Sequence, residues 1–378
     1  MSRSPFPRNR RLPHLTYPAS AEHRDVLAAF RAFRDEIVTA DGARGFLRTR
    51  RPDTPDGVPN STVSEGIAYG MLIAVMLDDQ ALFDGLFGYA LEFLNARGLM
   101  CWYVAPDGAM ALGSGAASDA DEDMAWALVM AHRQWGGRGA FGESYLAHAR
   151  RFIERIWQHE VDRDAYPHLF KPGDEWRANV FNPSYFAPNQ YRVFGEVSGN
   201  RAGWQRVVDR GYDAVEASLN PASGNQQNGL VPAWCDAAGA PLEAFPGAET
   251  NYQTDSARLP FRLGLDFAFY RDERARAYVA RTSAFFAALG ADSIGDGYEL
   301  DGRPRPDRKT VQPNPGSAVF VGSAAVGAMH SPAYASFVEA AYLRLRTGRL
   351  LARSRYYNHC WTVLSLLVLS GNFVEIPE

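Results

Sequence analysis

The sequence predicts an all-helical fold, about a dozen helices set as an inner ring wrapped by an outer one. Three observations lead there. Apolar residues recur at the helical period along most of the chain. Several of the predicted helices are apolar on more than one side, the pattern of a helix buried inside a larger assembly. Sustained period-2 alternation, the mark of half-buried strands, is nearly absent.

Taken in order, Val26, Leu27, Phe30, Phe33 and Ile37 share one face of a first helix. A second, over 64–78, is apolar on more than one face through Ile67, Met71, Leu72, Val75 and Met76. Leu82, Phe83, Leu86, Phe87, Ala90, Leu91 and Leu94 trace a third. Further helices are expected over 119–136, 141–160, 184–196, 201–218, 253–271, 272–289, 316–329, 332–347 and 355–370, the last again apolar on several sides. Loops rich in Gly, Pro, Asn and Asp join them. Short extended pieces are expected around 99–105 and 229–235, too small to build a large sheet. No linker or internal repeat divides the chain, so 1–20 reads as an N-terminal extension and 21–378 as one domain.

Composition narrows the function. Of 378 residues 46% are hydrophobic and 22% charged, ample for a large core and unlike a disordered chain. Lys and Arg number 39 against 43 Asp and Glu, a net charge of −4, so nothing invites nucleic acid or an anionic membrane surface. No run of 18 apolar residues is present to span a bilayer. The Arg- and Pro-rich segment 1–20 lacks the apolar stretch of a signal peptide, which leaves open a cytoplasmic protein and one whose signal has been removed. Cys101, Cys235 and Cys360 lie far apart and form no CxxC pair, so they read as three buried thiols. The 8 histidines include no HExxH pair, and no metal or organic cofactor is expected.

Three acidic segments could hold chemistry. In Val63-Ser64-Glu65-Gly66-Ile67-Ala68-Tyr69-Gly70-Met71, Ser64 reads as an N-cap that places Glu65 in a first helical turn. The acid is either a carboxylate favoured by the helix dipole or, with two glycines and a Tyr beside it, part of a site that a substrate approaches closely. In Ala117-Ser118-Asp119-Ala120-Asp121-Glu122-Asp123, four acids crowd five positions after a Ser118 cap. They form a solvated first turn, a cation loop or a magnesium–diphosphate site. An EF-hand fails because Met124 and Met130 stand where Gly and Glu are required. In Gln253-Thr254-Asp255-Ser256-Ala257-Arg258, the acid and the base lie three apart and can pair, as an ion pair of structure or of a site.

Together these segments resemble glycoside hydrolase family 8, the cellulase D family. Ala117 to Trp135, with Asp119, Asp121, Met124, Ala125, Ala127 and Ala131, is similar to the family signature; Ser64-Glu65-Gly66 with Tyr69-Gly70-Met71 to its general-acid segment; Asp255-Ser256-Ala257-Arg258 to the segment holding its base. Further blocks agree: Gly98-Leu99-Met100 with Trp102, Lys171-Pro172-Gly173-Asp174 with Trp176, Asn182 to Pro188, Gly229 to Pro232 with Trp234-Cys235, and Leu369 to Phe373. The resemblance runs from about residue 25 to the C-terminus. Thr254 before the presumed base and Asn358-His359-Cys360-Trp361 after Tyr356-Tyr357 depart from it.

The resemblance implies an (α/α)6 barrel and an inverting hydrolase that cuts β-1,4-linked polysaccharide internally. Cellulose derivatives or mixed-linkage β-glucan come first as substrates; xylan and chitosan are the alternatives. It assigns Glu65 as general acid, Asp255 as general base and Asp119 as a third carboxylate. A helix N-terminus favours the anion of Glu65, and an ionised Asp119 nearby would oppose that and keep Glu65 protonated. Tyr185 is expected near the attacking water, and Arg258 beside Asp255 or a sugar hydroxyl. Trp102, Trp176, Phe186, Trp234 and Tyr357 are candidate contacts to successive sugars. The resemblance further implies a secreted or periplasmic monomer acting on β-linked polysaccharide or oligosaccharide. From other classes, a non-catalytic carbohydrate-binding protein would keep the aromatics without needing three carboxylates, and an Asp-rich isoprenoid enzyme would need Mg²⁺.

Overall fold

A computed structural model describes residues 2–54, 57–305, 316–352 and 355–377. Among them the helices are α1 His23–Ile37, α2 Ser64–Met76, α3 Gln80–Glu92, α4 Ser118–Trp135, α5 Tyr145–His159, α6 Pro188–Ser198, α7 Arg201–Ser218, α8 Thr254–Ala257, α9 Leu259–Tyr270, α10 Glu273–Leu289, α11 Ala318–Ala328, α12 Ala335–Arg346 and α13 Arg355–Leu369. Inner helices meet in the cyclic order α2, α4, α6, α9, α11, α13 and back to α2; each also packs on an outer helix next to it in the chain. This is the (α/α)6 barrel, with outer helices α1, α3, α5, α7, α10 and α12.

Burial divides the two rings as the apolar patterns do. Every residue of α11 is buried, and in α2 all but Glu65 are. The outer α1 buries only Val26, Phe33 and Ile37. One continuous apolar core runs from Val26 to Ile376. None of the described helices is long and apolar enough to cross a membrane.

Three expectations about helices are corrected, two of them by proline. The stretch 253–271 breaks into α8 and α9 at Arg258, because Pro260 in the first turn of α9 has no N–H to continue the ladder. The stretch 184–196 becomes a 3-10 turn, Pro183–Tyr185, followed by α6 starting at Pro188. Ala187 before that proline leaves the helical region, as the residue before proline does. Neither Ser64 nor Ser118 is a cap. Extended Val63 and Ala117 precede these helices without a side-chain bond, Ser64 N–H donates to Trp102 O at 2.9 Å, and the Ser118 hydroxyl donates to Lys171 O at 2.7 Å.

Extended structure is sparse. Strands β1 Val38–Thr39 and β2 Arg48–Thr49 pair, and β3 Thr62–Val63, β4 Tyr103–Val104 and β5 Ala111–Gly113 form a small antiparallel sheet that seats Trp102 beside the start of α2. Around 229–235 the expected extended piece reduces to bridges at Cys235, with Phe181 and Pro241.

Candidate active site

The first turns of the inner helices converge at one end of the barrel, and the acids expected there come with them. Glu65 is the second residue of α2, Asp119 the second of α4, and Asp255 the second of the single turn α8. Helix N-termini suit carboxylates because unpaired N–H groups and the positive dipole end face them.

Arg258, only 1% exposed, binds all three acids. Its Nη1 donates to Glu65 Oε1 at 2.5 Å and to Asp119 Oδ2 at 2.6 Å, and its Nη2 to Asp255 Oδ1 at 3.0 Å. Its Nε donates to Ser184 Oγ at 3.1 Å, and its guanidinium lies 4.8 Å from the centre of the Tyr185 ring. The proline break that splits α8 from α9 sets this residue at the hub. Expected to serve Asp255, it serves Glu65 and Asp119 as well.

Exposure differs among the three acids. The Glu65 and Asp255 side chains retain 20% and 33% of their surface, while Asp119 is buried beneath them. Burial raises the Asp119 carboxyl to about 7, with Arg258 pulling it down and Glu65 pushing it up. Burial also raises Asp255; Arg258 opposes this and Asp119 adds to it. A guanidinium sits between Asp119 and Glu65, and burial favours the acid form of Asp119.

Two tyrosines complete the grip on Glu65. Tyr69 Oη donates to Oε1 at 2.9 Å, and Tyr356 Oη donates to Oε2. Tyr69, at i+4 from Glu65 on α2, is legible as a helical neighbour. Tyr356 comes from α13, 291 positions away in sequence, and no local pattern reveals it. The glycine beside the acid is also explained: a Cβ on Gly66 would lie 2.8 Å from Tyr356 Cε2 and 2.6 Å from Thr49 Oγ1. It makes room for the protein's own side chains rather than for a substrate.

The acidic run on α4 is corrected from a solvated turn to a buried one. Its carboxylates diverge, each toward a different partner. Asp119 meets Arg258, Asp123 meets Arg262 at 2.5 and 2.8 Å and Gln190 at 2.6 Å, and Glu122 accepts from Tyr191 Oη at 2.8 Å. Asp121 lies near Glu160, and burial raises both carboxyls well above the usual range, which favours their acid forms.

The aromatic candidates separate by exposure. Trp102 is 43% exposed and stacks on Tyr103. Trp176, half-buried, lies parallel to Trp234 with ring centres 5.1 Å apart. Trp234 is only 4% exposed and belongs to a small apolar cluster with Val180, Ala233 and Ala248, so it backs Trp176 instead of offering a face of its own. Phe186 is wholly buried against Tyr212 and the gap left by Gly211; it is core, not a platform. Tyr357, partly buried, packs 6.3 Å from Tyr69 and 5.9 Å from Tyr356, in the same tyrosine wall. The exposed Phe245, edge-on to Trp176 and Trp234, was not anticipated from the sequence.

Comparison with known proteins identifies the family and the fold. The family description "Glycosyl hydrolases family 8" matches residues 4–370. Endoglucanase 2 of Ruminiclostridium josui is 34% identical over 98% of this chain and 77% of its own length. The reducing-end xylose-releasing exo-oligoxylanase Rex8A of Paenibacillus barcinonensis is 26% identical over 82% of this chain and 81% of its own. In fold, the chain superposes on the apo structure of a beta-1,3-1,4-glucanase from Paenibacillus sp. X4 with a TM-score of 0.82, at 24% identity, covering 98% of each.

Proposed function

The chain belongs to glycosyl hydrolase family 8 and is a glycoside hydrolase; from that premise we propose that it is an inverting endo-β-1,4-glucanase in which Glu65 is the general acid and Asp255 the general base. The observation behind the assignment is the division of one guanidinium: Glu65 and Asp255 hold different nitrogens of Arg258, both partly open to solvent, with Asp119 buried between them. Inverting hydrolysis needs two carboxyls on opposite faces of a sugar ring, roughly 6.5–9.5 Å apart, leaving room for a water.

The chemistry then runs in one displacement. Glu65 gives its proton to the glycosidic oxygen as the bond from that oxygen to the anomeric carbon breaks. Asp255 takes a proton from water as the water oxygen bonds the opposite side of that carbon. Asp119, when ionised, lies where positive charge grows on the ring, and Arg258 balances the three acids between turnovers. Tyr185, beneath Arg258, stands beside the base. The exposed faces of Trp102 and Trp176 suit the flat, equatorially linked rings of a β-glucan bound mid-chain, and the endoglucanase name of the Ruminiclostridium relative supports that substrate. Because such a polymer does not cross a cell membrane, the site of action is outside the cytoplasm; the unit is a monomer with one domain over 21–378.

The test is product analysis on carboxymethyl cellulose, mixed-linkage glucan, xylan and chitosan. Rapid viscosity loss on a glucan, a ladder of oligosaccharides and early appearance of the α-anomer by proton NMR are expected. The β-anomer appearing first would overturn inversion, and activity on xylan alone would overturn the substrate while leaving the mechanism.

A further inference from the structure

The two oxygens of Glu65 are not equivalent. Oε1 receives Arg258 Nη1 at 2.5 Å and Tyr69 Oη at 2.9 Å. The Tyr69 oxygen in turn accepts from the same arginine nitrogen at 3.2 Å, which commits its one hydrogen to Glu65. A guanidinium has donors only, so a proton on Oε1 would point at two other hydrogens. Among the described residues Oε2 has a single hydrogen-bond partner, Tyr356 Oη. A phenol hydroxyl can turn; it donates to a carboxylate and accepts from a carboxylic acid.

The remaining charged or titratable groups near this carboxyl act elsewhere. Asp119 on α4 and Asp255 on α8 accept hydrogen bonds from Arg258 and make none to Glu65. Tyr185, Tyr357 and the buried Cys360 thiol feel its charge without bonding to Oε2. Tyr356 itself is held in place: it is 8% exposed, and its ring fills the slot that Gly66 leaves on α2.

We propose that the proton Glu65 delivers resides on Oε2, and that Tyr356 is the positioning residue that holds this oxygen through the cycle. The inference rests on the reading of Glu65 as general acid. In the acid form, Oε2–H is shared between the Tyr356 oxygen and the incoming glycosidic oxygen. As the leaving oxygen takes the proton, the O–H electron pair stays on Oε2, the anomeric C–O pair passes to the leaving oxygen, and Tyr356 turns its hydrogen onto the new carboxylate. The proton returns from solvent before the next turnover.

The experiment compares Tyr356→Phe and Tyr69→Phe on two substrates. A cello-oligosaccharide needs its leaving oxygen protonated; 2,4-dinitrophenyl β-cellobioside does not. Tyr356→Phe is expected to lower kcat on the oligosaccharide at least about tenfold, with KM changed less than about twofold. On the dinitrophenyl substrate its rate stays within about threefold of wild type, which also establishes that the site is folded. Tyr69→Phe is expected to change both substrates by a common factor. Equal losses on both substrates in Tyr356→Phe, or the selective loss appearing in Tyr69→Phe instead, would overturn the proposal. Glu65→Gln runs alongside: if it keeps turnover on the oligosaccharide, the general-acid reading itself has failed, an outcome separate from either tyrosine result.

Discussion

The two ends of the barrel are made by the same six inner helices and solve opposite problems. At the N-terminal end, the helix starts present N–H groups, and the sequence supplies Glu65, Asp119 and Asp255 around a single Arg258. At the C-terminal end the exposed groups are carbonyls, and residues 3–16 cross them as a strap. Arg3 N–H donates to Gln134 O at the end of α4, the Arg8 guanidinium donates to Met76 O and Val75 O at the end of α2, Arg10 N–H to Gly371 O just after α13, and Thr16 N–H to Met329 O just after α11. His14 Nε2 lies 3.1 Å from Ala268 O in α9. Cations and donors suit this end for the reason that anions suit the other. One end thus keeps its charges only partly satisfied and open; the other satisfies and closes its polar groups. Substitutions at the first should change rate, and substitutions at the second should change stability.

The largest expected effects lie at the open end. Glu65→Gln keeps the shape but cannot protonate the leaving oxygen, and turnover on unactivated glucan should fall by about 10²–10⁴-fold or more while oligosaccharide binding survives. Asp255→Asn should be comparably inactive, with azide restoring part of the rate as a small external nucleophile. Retention of more than about a tenth of wild-type turnover by either variant breaks the assignment.

Asp119→Asn tests the buried acid between them, which should affect both properties. Turnover should fall, because the ring loses a negative neighbour. Stability should gain a different pH dependence. The acid form of Asp119 is favoured by folding, so its contribution is whole below its ordinary 3.8 and is lost as pH rises through about 7. The variant should therefore lose less melting temperature than wild type between those two values. A parallel decline in both proteins would mean that Asp119 is already ionised in the fold at low pH.

At the closed end, Arg8→Ala should lower stability by roughly 1.5–3 kcal/mol, the range for lost hydrogen bonds to a charged group, with kcat and KM unchanged. Reduced turnover at full stability would mean that the strap communicates with the catalytic face, and the comparison between the ends would fail.

The smallest effect separates the aromatic platforms. Trp102→Ala should raise KM for long oligosaccharides more than Phe245→Ala, because Trp102 lies next to Glu65 through the Ser64–Trp102 backbone bond while Phe245 stands beyond Trp176. The reverse order would move the centre of the binding cleft toward the Trp176 rim.

Much of this was determined by the sequence alone. Helical periodicity and helices apolar on several sides specified two concentric rings, because apolar burial is written locally along each helix. The motifs containing Glu65, Asp119 and Asp255 are continuous stretches at helix starts, so they too could be read, as could Arg258 three positions after Asp255. Tertiary structure decided what depends on neighbours from distant segments. The hydrophobicity of Phe186 and Trp234 is the same in a core as on a platform, and only packing against Tyr212 or behind Trp176 made them one and not the other. The acids after Asp119 look solvated until Arg262, Gln190, Tyr191 and Glu160 arrive from elsewhere to meet them. Tyr356 reaches Glu65 only because the ring closes, bringing α13 back against α2; a sequence specifies each helix's buried face, but which residues face one another across the closure is set by the geometry of the ring.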